Sequence, residues 1–240
     1  MKAFNFFAVV ALATLMAASC CNNFPSVEKQ PEGITKADVD SASYALGVYY
    51  GQMITMNNLG DMNMNEVLKG MRDALKGDKP ELNEMFVNER MSEFMRKRSE
   101  VIAEVNKKTG EEFLAKNVTA EGVQVTPKGV QYLVVRKGNG VYPTNVMDTV
   151  KVSYEGSTLD GKVFDSSYER GDSTVFSLNR VIEGWQDGLM NCDEGSEVIL
   201  WIPSELAYGK RGNMNIAPNQ TLKFKVELHE VMPFEAKEEN

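Results

Sequence analysis

Near Thr119 the hydrophobic period of this chain changes from that of a helix to that of a strand, which commits it to two unlike parts. Before the change, Tyr44 and Val48, then Leu46, Tyr50 and Ile54, recur at helical spacing behind Asp38 or Asp40 as a cap. Ala45, Gly47 and Gly51 among them are small enough for a partner helix to approach closely. A second helix is predicted from about Asn65 to Leu75, stopped by Lys76-Gly77-Asp78 with Pro80 beyond. A third runs from roughly Asn83 to Lys116. Its apolar stripe, Val87, Met91, Phe94, Val101 and Val105, is narrow, and Glu93/Lys97, Glu104/Lys108 and Glu112/Lys116 stand four apart in the favourable order. So narrow a stripe buries little, which predicts an exposed connecting arm or one side of a dimer.

After Thr119, Val125-Thr126-Pro127-Lys128-Gly129 reads as a linker, and short alternating strands follow between turn signals. Val130 to Arg136 precedes the Gly138-Asn139-Gly140 turn. Val150, Val152 and Tyr154 alternate with polar residues, and Asp160-Gly161 signals a hairpin into Lys162-Val163-Phe164. Val198 to Ile202 is apolar on both faces, as in a central strand. Leu222, Phe224, Val226 and Leu228 alternate with Lys223, Lys225, Glu227 and His229, giving one buried and one wet face. One short helix, about Val181 to Met190, lies among these strands. The fold class is α+β: an all-helical N-terminal arm with a long connecting helix, then an antiparallel β half-barrel wrapping one short helix.

The chain opens with Lys2, an apolar run from Phe6 to Ala18 and Ser19-Cys20-Cys21. A charged start, a short apolar stretch and small residues at a cleavage point read as a signal peptide, too short to span a bilayer. Ala17-Ala18-Ser19-Cys20 resembles a lipoprotein box, which implies lipidation at Cys20 and a lipid anchor to a bacterial membrane. A secreted chain cleaved nearby is the alternative, and both place the protein in the cell envelope, facing the periplasm or the cell surface. The polar stretch with Pro25, Pro31 and Gly33 reads as a tether.

A net charge of -8 leaves no basic face for nucleic acid. The run Arg96-Lys97-Arg98 sits among glutamates on a helix and reads as a solvated face. Three cysteines cannot build a disulfide framework, and Cys192 reads as a buried thiol. The single histidine, His229, lies on a wet strand face, so neither a histidine triad nor a zinc site is expected, and no metal or cofactor is called for. The glycines of Gly138-Asn139-Gly140 lie between strands, so they form no phosphate cradle. Asp193-Glu194 lies in a turn with no apolar pocket to shift its titration. The methionines at 53, 56, 62, 64, 71, 85, 91 and 95 read either as core and interface filling or as an adaptable client surface.

Aromatic residues punctuate the C-terminal half in five ordered contexts. These are Val152-Ser-Tyr154-Glu-Gly156, Gly161-Lys-Val-Phe164-Asp165-Ser-Ser167, Val181-Ile182-Glu-Gly184-Trp185, Ala207-Tyr208-Gly209 and Thr221-Leu222-Lys-Phe224. In that order they resemble the motifs of FKBP-type peptidyl-prolyl cis/trans isomerases. Ser43-Tyr-Ala-Leu-Gly47, the Leu75-Lys-Gly77 stop and the long charged helix resemble the N-terminal region of the two-domain, Mip-like members. The resemblance implies an isomerase of X-Pro bonds that acts on unfolded or folding proline-containing proteins and forms a homodimer through its N-terminal helices.

It also implies roles residue by residue. Tyr154, Phe164, Trp185 and Phe224 wall a prolyl pocket with Trp185 at its floor. Asp165 hydrogen-bonds near the reacting amide, steadied by Ser166 and Ser167. The N–H of Ile182 and the hydroxyl of Tyr208 hold substrate carbonyls, and Val181 and Phe176 complete the binding surface. Thr174 and Leu206 stand where an aromatic and a second tyrosine are common, and Gly212 to Ile216 lacks the histidine of some members. The resulting division is a leader at 1–20, a tether at 21–36, a helical dimerisation part with connecting helix at 37–118 and a linker at 119–128. An isomerase domain at 129–234 and a polar tail at 235–240 complete it. The alternative function is a client-binding chaperone dimer with weak isomerase activity.

Overall fold

The structure is a computed structural model that describes residues 29–235. The leader, Cys20, most of the tether and the end of the tail lie outside the described residues. The chain divides into two compact units, one ending at Met91 and the other beginning at Ser92.

In the first unit, α1 spans Lys36–Met56 and α2 spans Met64–Lys76. Thr35, rather than Asp38 or Asp40, caps α1: its hydroxyl accepts from the Asp38 N–H at 3.2 Å, while the Asp38 carboxylate accepts from the Thr35 N–H at 2.9 Å. This reciprocal box satisfies two orphan donors, and the Thr35 side chain and backbone hold the Asp38 carboxyl below its usual range. Asn63 caps α2, and Gly77 ends it at a φ of +66°, the left-handed conformation in which glycine meets no steric penalty. Neither helix has a buried residue.

The third helix, α3, spans Glu84–Asn117. Among its ion pairs are Arg96–Glu100 at 2.8 Å, Lys107–Glu111 at 3.8 Å and Lys108–Glu112 at 3.9 Å. Lys108 therefore reaches forward to Glu112 rather than back to Glu104, and the order in all three is cation first, the weaker one on a helix. Among the described residues no helix is long and apolar enough to cross a membrane.

The second unit holds seven strands: β1 Val123–Val125, β2 Gln131–Arg136, β3 Thr149–Thr158, β4 Val163–Ser166, β5 Thr174–Ser177, β6 Glu197–Ile202 and β7 Leu222–Met232. All pairs are antiparallel, in the order β1-β2-β6-β7-β3-β4. β5 and β4 share one edge of β3: β5 pairs with Thr149 to Val152, and β4 with Glu155 to Ser157. Strand β1 corrects the linker reading of 119–128, because Val123 to Val125 pair with Gln131 to Leu133. Three residues are too few for an alternating pattern to show in sequence.

The concave face packs on α4, Glu183–Leu189. Its two interior glycines allow a close approach: a Cβ on Gly184 would lie 2.1 Å from Ile202 Cγ2, and one on Gly188 3.1 Å from Leu200. Val150, Val152, Leu178, Leu189, Val198, Leu200, Leu222 and Val226 are fully buried around it. The acidic turn residues have structural work. Asp193 accepts from the N–H groups of Gly138 and Gly140, and Glu194 accepts from the Val231 N–H. Asp148, 2% exposed, accepts from the N–H groups of Thr144, Asn145 and Phe234 at 2.8 to 2.9 Å, tying the entry of β3 to the exit of β7.

The C-terminal half of α3 packs on this unit. Phe113 meets the Trp201 ring at 6.5 Å, Gln131 donates to the Leu114 carbonyl at 2.8 Å, and Asn117 donates to Gln131 Oε1 at 2.8 Å. A Cβ on Gly110 would sit 2.2 Å from Thr221 Oγ1, so the helix lies directly against the start of β7.

Candidate functional site

The inward side chains of β3 and β7 and the first turn of α4 converge on an aromatic cleft of about 360 Å³. Period-two alternation puts Tyr154 and Phe224 on the same buried face, 4% and 5% exposed. Trp185, 4% exposed, stands nearly perpendicular to three rings: Tyr154 at 5.1 Å, Phe224 at 5.2 Å and Phe176 at 5.7 Å. Phe164 closes the set edge-on to Phe224 at 5.6 Å. Edge-to-face rings hold one another in place, so the walls are rigid as well as apolar. Gly156 makes room for them, since a Cβ there would lie 2.7 Å from Phe224 and 2.8 Å from Phe164.

Polar groups lie around this dry box. Asp165 of β4 accepts from the Tyr154 hydroxyl at 2.6 Å and from Arg170 at 2.5 Å, and Arg170 also donates to the Tyr154 hydroxyl at 2.8 Å. Burial first, and then the bond to Asp165, push the Tyr154 hydroxyl up, so it stays a protonated donor at neutral pH. Asp165 is thus steadied by Tyr154 and Arg170 and not by its serine neighbours. Ser166 Oγ accepts from the Glu169 N–H, and Ser167 Oγ accepts from the Tyr154 N–H at 2.8 Å. Adjacent strand residues face opposite sides, so Ser166 has no route to the Asp165 carboxylate.

Tyr208, half exposed, lines the same cleft, and its hydroxyl is pushed up by burial and then by the Asp165 charge. Among the described residues that hydroxyl has no hydrogen-bond partner. Ile182 immediately precedes α4; its carbonyl accepts from Trp185 and Gln186, while its own N–H donates to no described residue. Val181 lines the cleft beside it.

The cleft therefore gathers Tyr154, Phe164, Asp165, Phe176, Val181, Ile182, Trp185, Tyr208 and Phe224, together with a residue not anticipated from sequence, Arg180. Arg170 was likewise missed: an exposed-looking arginine in a polar turn gives no sign of its partners Asp165 and Tyr154, 5 and 16 residues upstream. Thr174 and Leu206 are absent from the lining. A larger hollow of about 680 Å³ lies on the wet face beside Lys151, Tyr168, Asp172 and His229. There His229 is exposed and meets Ser153 Oγ at 2.8 Å. That hollow is polar and open, and the aromatic cleft is the better candidate because it can desolvate a ligand.

Comparison with known proteins gives the family. Residues 142–229 match the family described as FKBP-type peptidyl-prolyl cis-trans isomerase, and residues 39–134 match the domain amino terminal to it. The chain is 34% identical to the FKBP-type peptidyl-prolyl cis-trans isomerase FkpA of Escherichia coli, over 95% of this chain and 92% of that protein. It is 34% identical to the outer membrane protein MIP of Legionella longbeachae, over 91% of this chain and 92% of that one. The crystal structure of FkpA from Escherichia coli superposes with a TM-score of 0.64 at 36% identity, covering 83% of this chain and 99% of that one. The box of perpendicular rings, with its carboxylate and the Ile182 N–H and Tyr208 hydroxyl that no described residue engages, stands in a chain that belongs to the FKBP-type peptidyl-prolyl cis/trans isomerase family.

Proposed function

We propose that this isomerase works on X-Pro bonds of exported proteins by twisting the prolyl amide inside the ring box, without covalent chemistry. Rotation about a peptide bond faces a resonance barrier of about 18–20 kcal/mol, while the two X-Pro isomers differ by only about 0.5–1 kcal/mol. A catalyst has to weaken amide resonance at one nitrogen. A prolyl ring on Trp185, walled by Tyr154, Phe164, Phe176 and Phe224, leaves water, and an environment without water disfavours the charge-separated planar amide more than the twisted one. The Ile182 N–H and the Tyr208 hydroxyl hold the flanking carbonyls, and Asp165, anchored by Tyr154 and Arg170, faces the amide. Every 1.4 kcal/mol gained by the twisted state over the planar one is about tenfold in rate.

The observation that carries this reading is the pairing of an aromatic cleft with the Ile182 N–H and the Tyr208 hydroxyl, donors that have no partner among the described residues. The test is isomerisation of a short X-Pro peptide and of a protein whose refolding is limited by proline, with Asp165→Ala and Trp185→Ala. Both variants should lose catalysis while keeping their fold. Parental rates in either variant would remove that side chain from the mechanism.

The relatives include one named as an outer membrane protein, which supports a place in the cell envelope. Lipidation at Cys20 and a periplasmic or surface-facing body belong to the same proposal. A homodimer through the first unit is supported by its exposed apolar side chains: Tyr44, Leu46, Tyr49 and Met56 of α1 are 77%, 55%, 55% and 81% exposed. The same exposed surface, with Met64 and Met85, favours a second reading, a client-binding chaperone dimer with weak isomerase activity. Suppression of aggregation that survives Trp185→Ala would assign client binding to the helices.

A further inference from the structure

We propose that α3 is a working part of the isomerase site: Asn219 and Asn106 lock the loop that carries Tyr208, making them positioning residues for that hydroxyl. The inference rests on the reading of Tyr208 as a carbonyl donor.

Tyr208 opens a loop that closes on itself. The Tyr208 carbonyl accepts from the Gly212 N–H at 3.2 Å, the Asn213 N–H reaches the Ile216 carbonyl at 2.8 Å, and the Asn219 N–H returns to the Gly209 carbonyl at 2.8 Å. The Tyr208 hydroxyl itself has no partner among the described residues, so nothing at the tip of the side chain holds it. Its placement over the cleft is set by the backbone beneath it.

That backbone is bolted to the helix at two points. Asn219, 8% exposed, sits at a φ of +54°, the left-handed conformation that asparagine adopts more readily than most non-glycine residues. Its amide side chain donates to the Ala103 carbonyl of α3 at 3.1 Å, while its N–H closes the loop. From the other side, Asn106 of α3 donates to the Pro218 carbonyl at 2.8 Å and to Gln220 Oε1 at 3.3 Å. One helical turn on, Gly110 lets α3 lie against Thr221, holding the helix within reach of the loop. Farther along, α3 also meets Trp201 and Gln131, but both asparagine clamps fall on the segment that closes the Tyr208 loop.

The experiment uses the chain from Asn22 onward, which keeps every described residue. Asn219→Gly retains the positive φ and the N–H to Gly209 but removes the bond to Ala103. Asn106→Ala removes the reciprocal clamp. Each should lower kcat/KM on an X-Pro peptide about tenfold, the scale of one lost positioning hydrogen bond, with far-ultraviolet circular dichroism unchanged. Tyr208→Phe is made alone and combined with each. If the asparagines act through Tyr208, the double variants fall no lower than Tyr208→Phe. Parental activity in both asparagine variants, or losses that multiply in full with that of Tyr208→Phe, would overturn the inference. A silent Tyr208→Phe would overturn it differently, by removing its premise.

Discussion

Gly156 carries a sharper prediction than any of the aromatic residues it serves. Replacing it by alanine puts a methyl carbon 2.7 Å from Phe224 and 2.8 Å from two atoms of Phe164. Carbon atoms in contact sit about 3.5–4.0 Å apart, so the rings must retreat by about 1 Å. Phe224 cannot easily do so, being 5% exposed and wedged edge-on between Trp185 and Phe164. Phe164 is half buried and takes most of the shift, into the space for the prolyl ring. Overpacking of this kind costs about 1–3 kcal/mol, a fall in melting midpoint of roughly 3–10 °C. The effect on catalysis should be larger in proportion, because a 1 Å error in a binding wall can cost about a hundredfold in rate. The assay is cis-to-trans conversion of an X-Pro peptide followed by an isomer-specific protease, beside a thermal melt of the same sample. A Gly156→Ala protein with parental kcat/KM would show that neither ring defines the reaction space.

Other outcomes follow from groups described above. Burial pushes the Asp148 carboxyl up, but the N–H groups of Phe234, Asn145 and Thr144 outweigh it and hold the carboxyl below its usual range. Its stabilisation is therefore complete above the unfolded carboxyl value of about 3.9 and is lost as pH falls through the lower folded value. Asp148→Asn should cost on the order of 2–3 kcal/mol near neutrality, a gap that closes in melts taken toward pH 3; a gap independent of pH would refute the assignment. Arg180 lines the cleft and is exposed, so Arg180→Glu should shift preference from X-Pro peptides with a flanking glutamate toward those with a flanking lysine, read as a change in KM that fades in high salt. Cys192 is 1% exposed, its thiol pushed up to about 12 by burial and then by Asp193, so it should resist alkylation at pH 8 in the native chain and react once unfolded. Fast native-state alkylation would show that α4 opens readily.

What could be read from the sequence was whatever is written in short-range periodicity or in short ordered contexts. The alternation from Leu222 to Leu228 and the doubly apolar Val198 to Ile202 announce β7 and β6, which lie together in the middle of the sheet. The same alternation puts Tyr154 and Phe224 on one face. Contacts across large separations left no such trace. Asn106 meets Pro218 and Gln220 more than a hundred residues away, so the docking of α3 was invisible in a helix that read as an exposed arm. Arg170 finds Asp165 five residues back, but its bond to the Tyr154 hydroxyl depends on the pairing of β4 with β3. The Thr35 cap was passed over for a more acidic neighbour that proved to be its partner in the same box.

The position of β7 has a consequence in time. It is the last strand along the chain, yet it lies between β6 and β3 and pairs with both over most of its length. Until those residues emerge, β1, β2 and β6 have no neighbour connecting them to β3, β4 and β5. The cleft also lacks Phe224. The helices α1 and α2 precede the sheet along the chain, and joining the sheet requires pairings between distant parts of the chain, which form slowly. The strand that joins the two halves of the sheet is thus also the one that brings Phe224 to the cleft, so the site and the sheet depend on the same pairings.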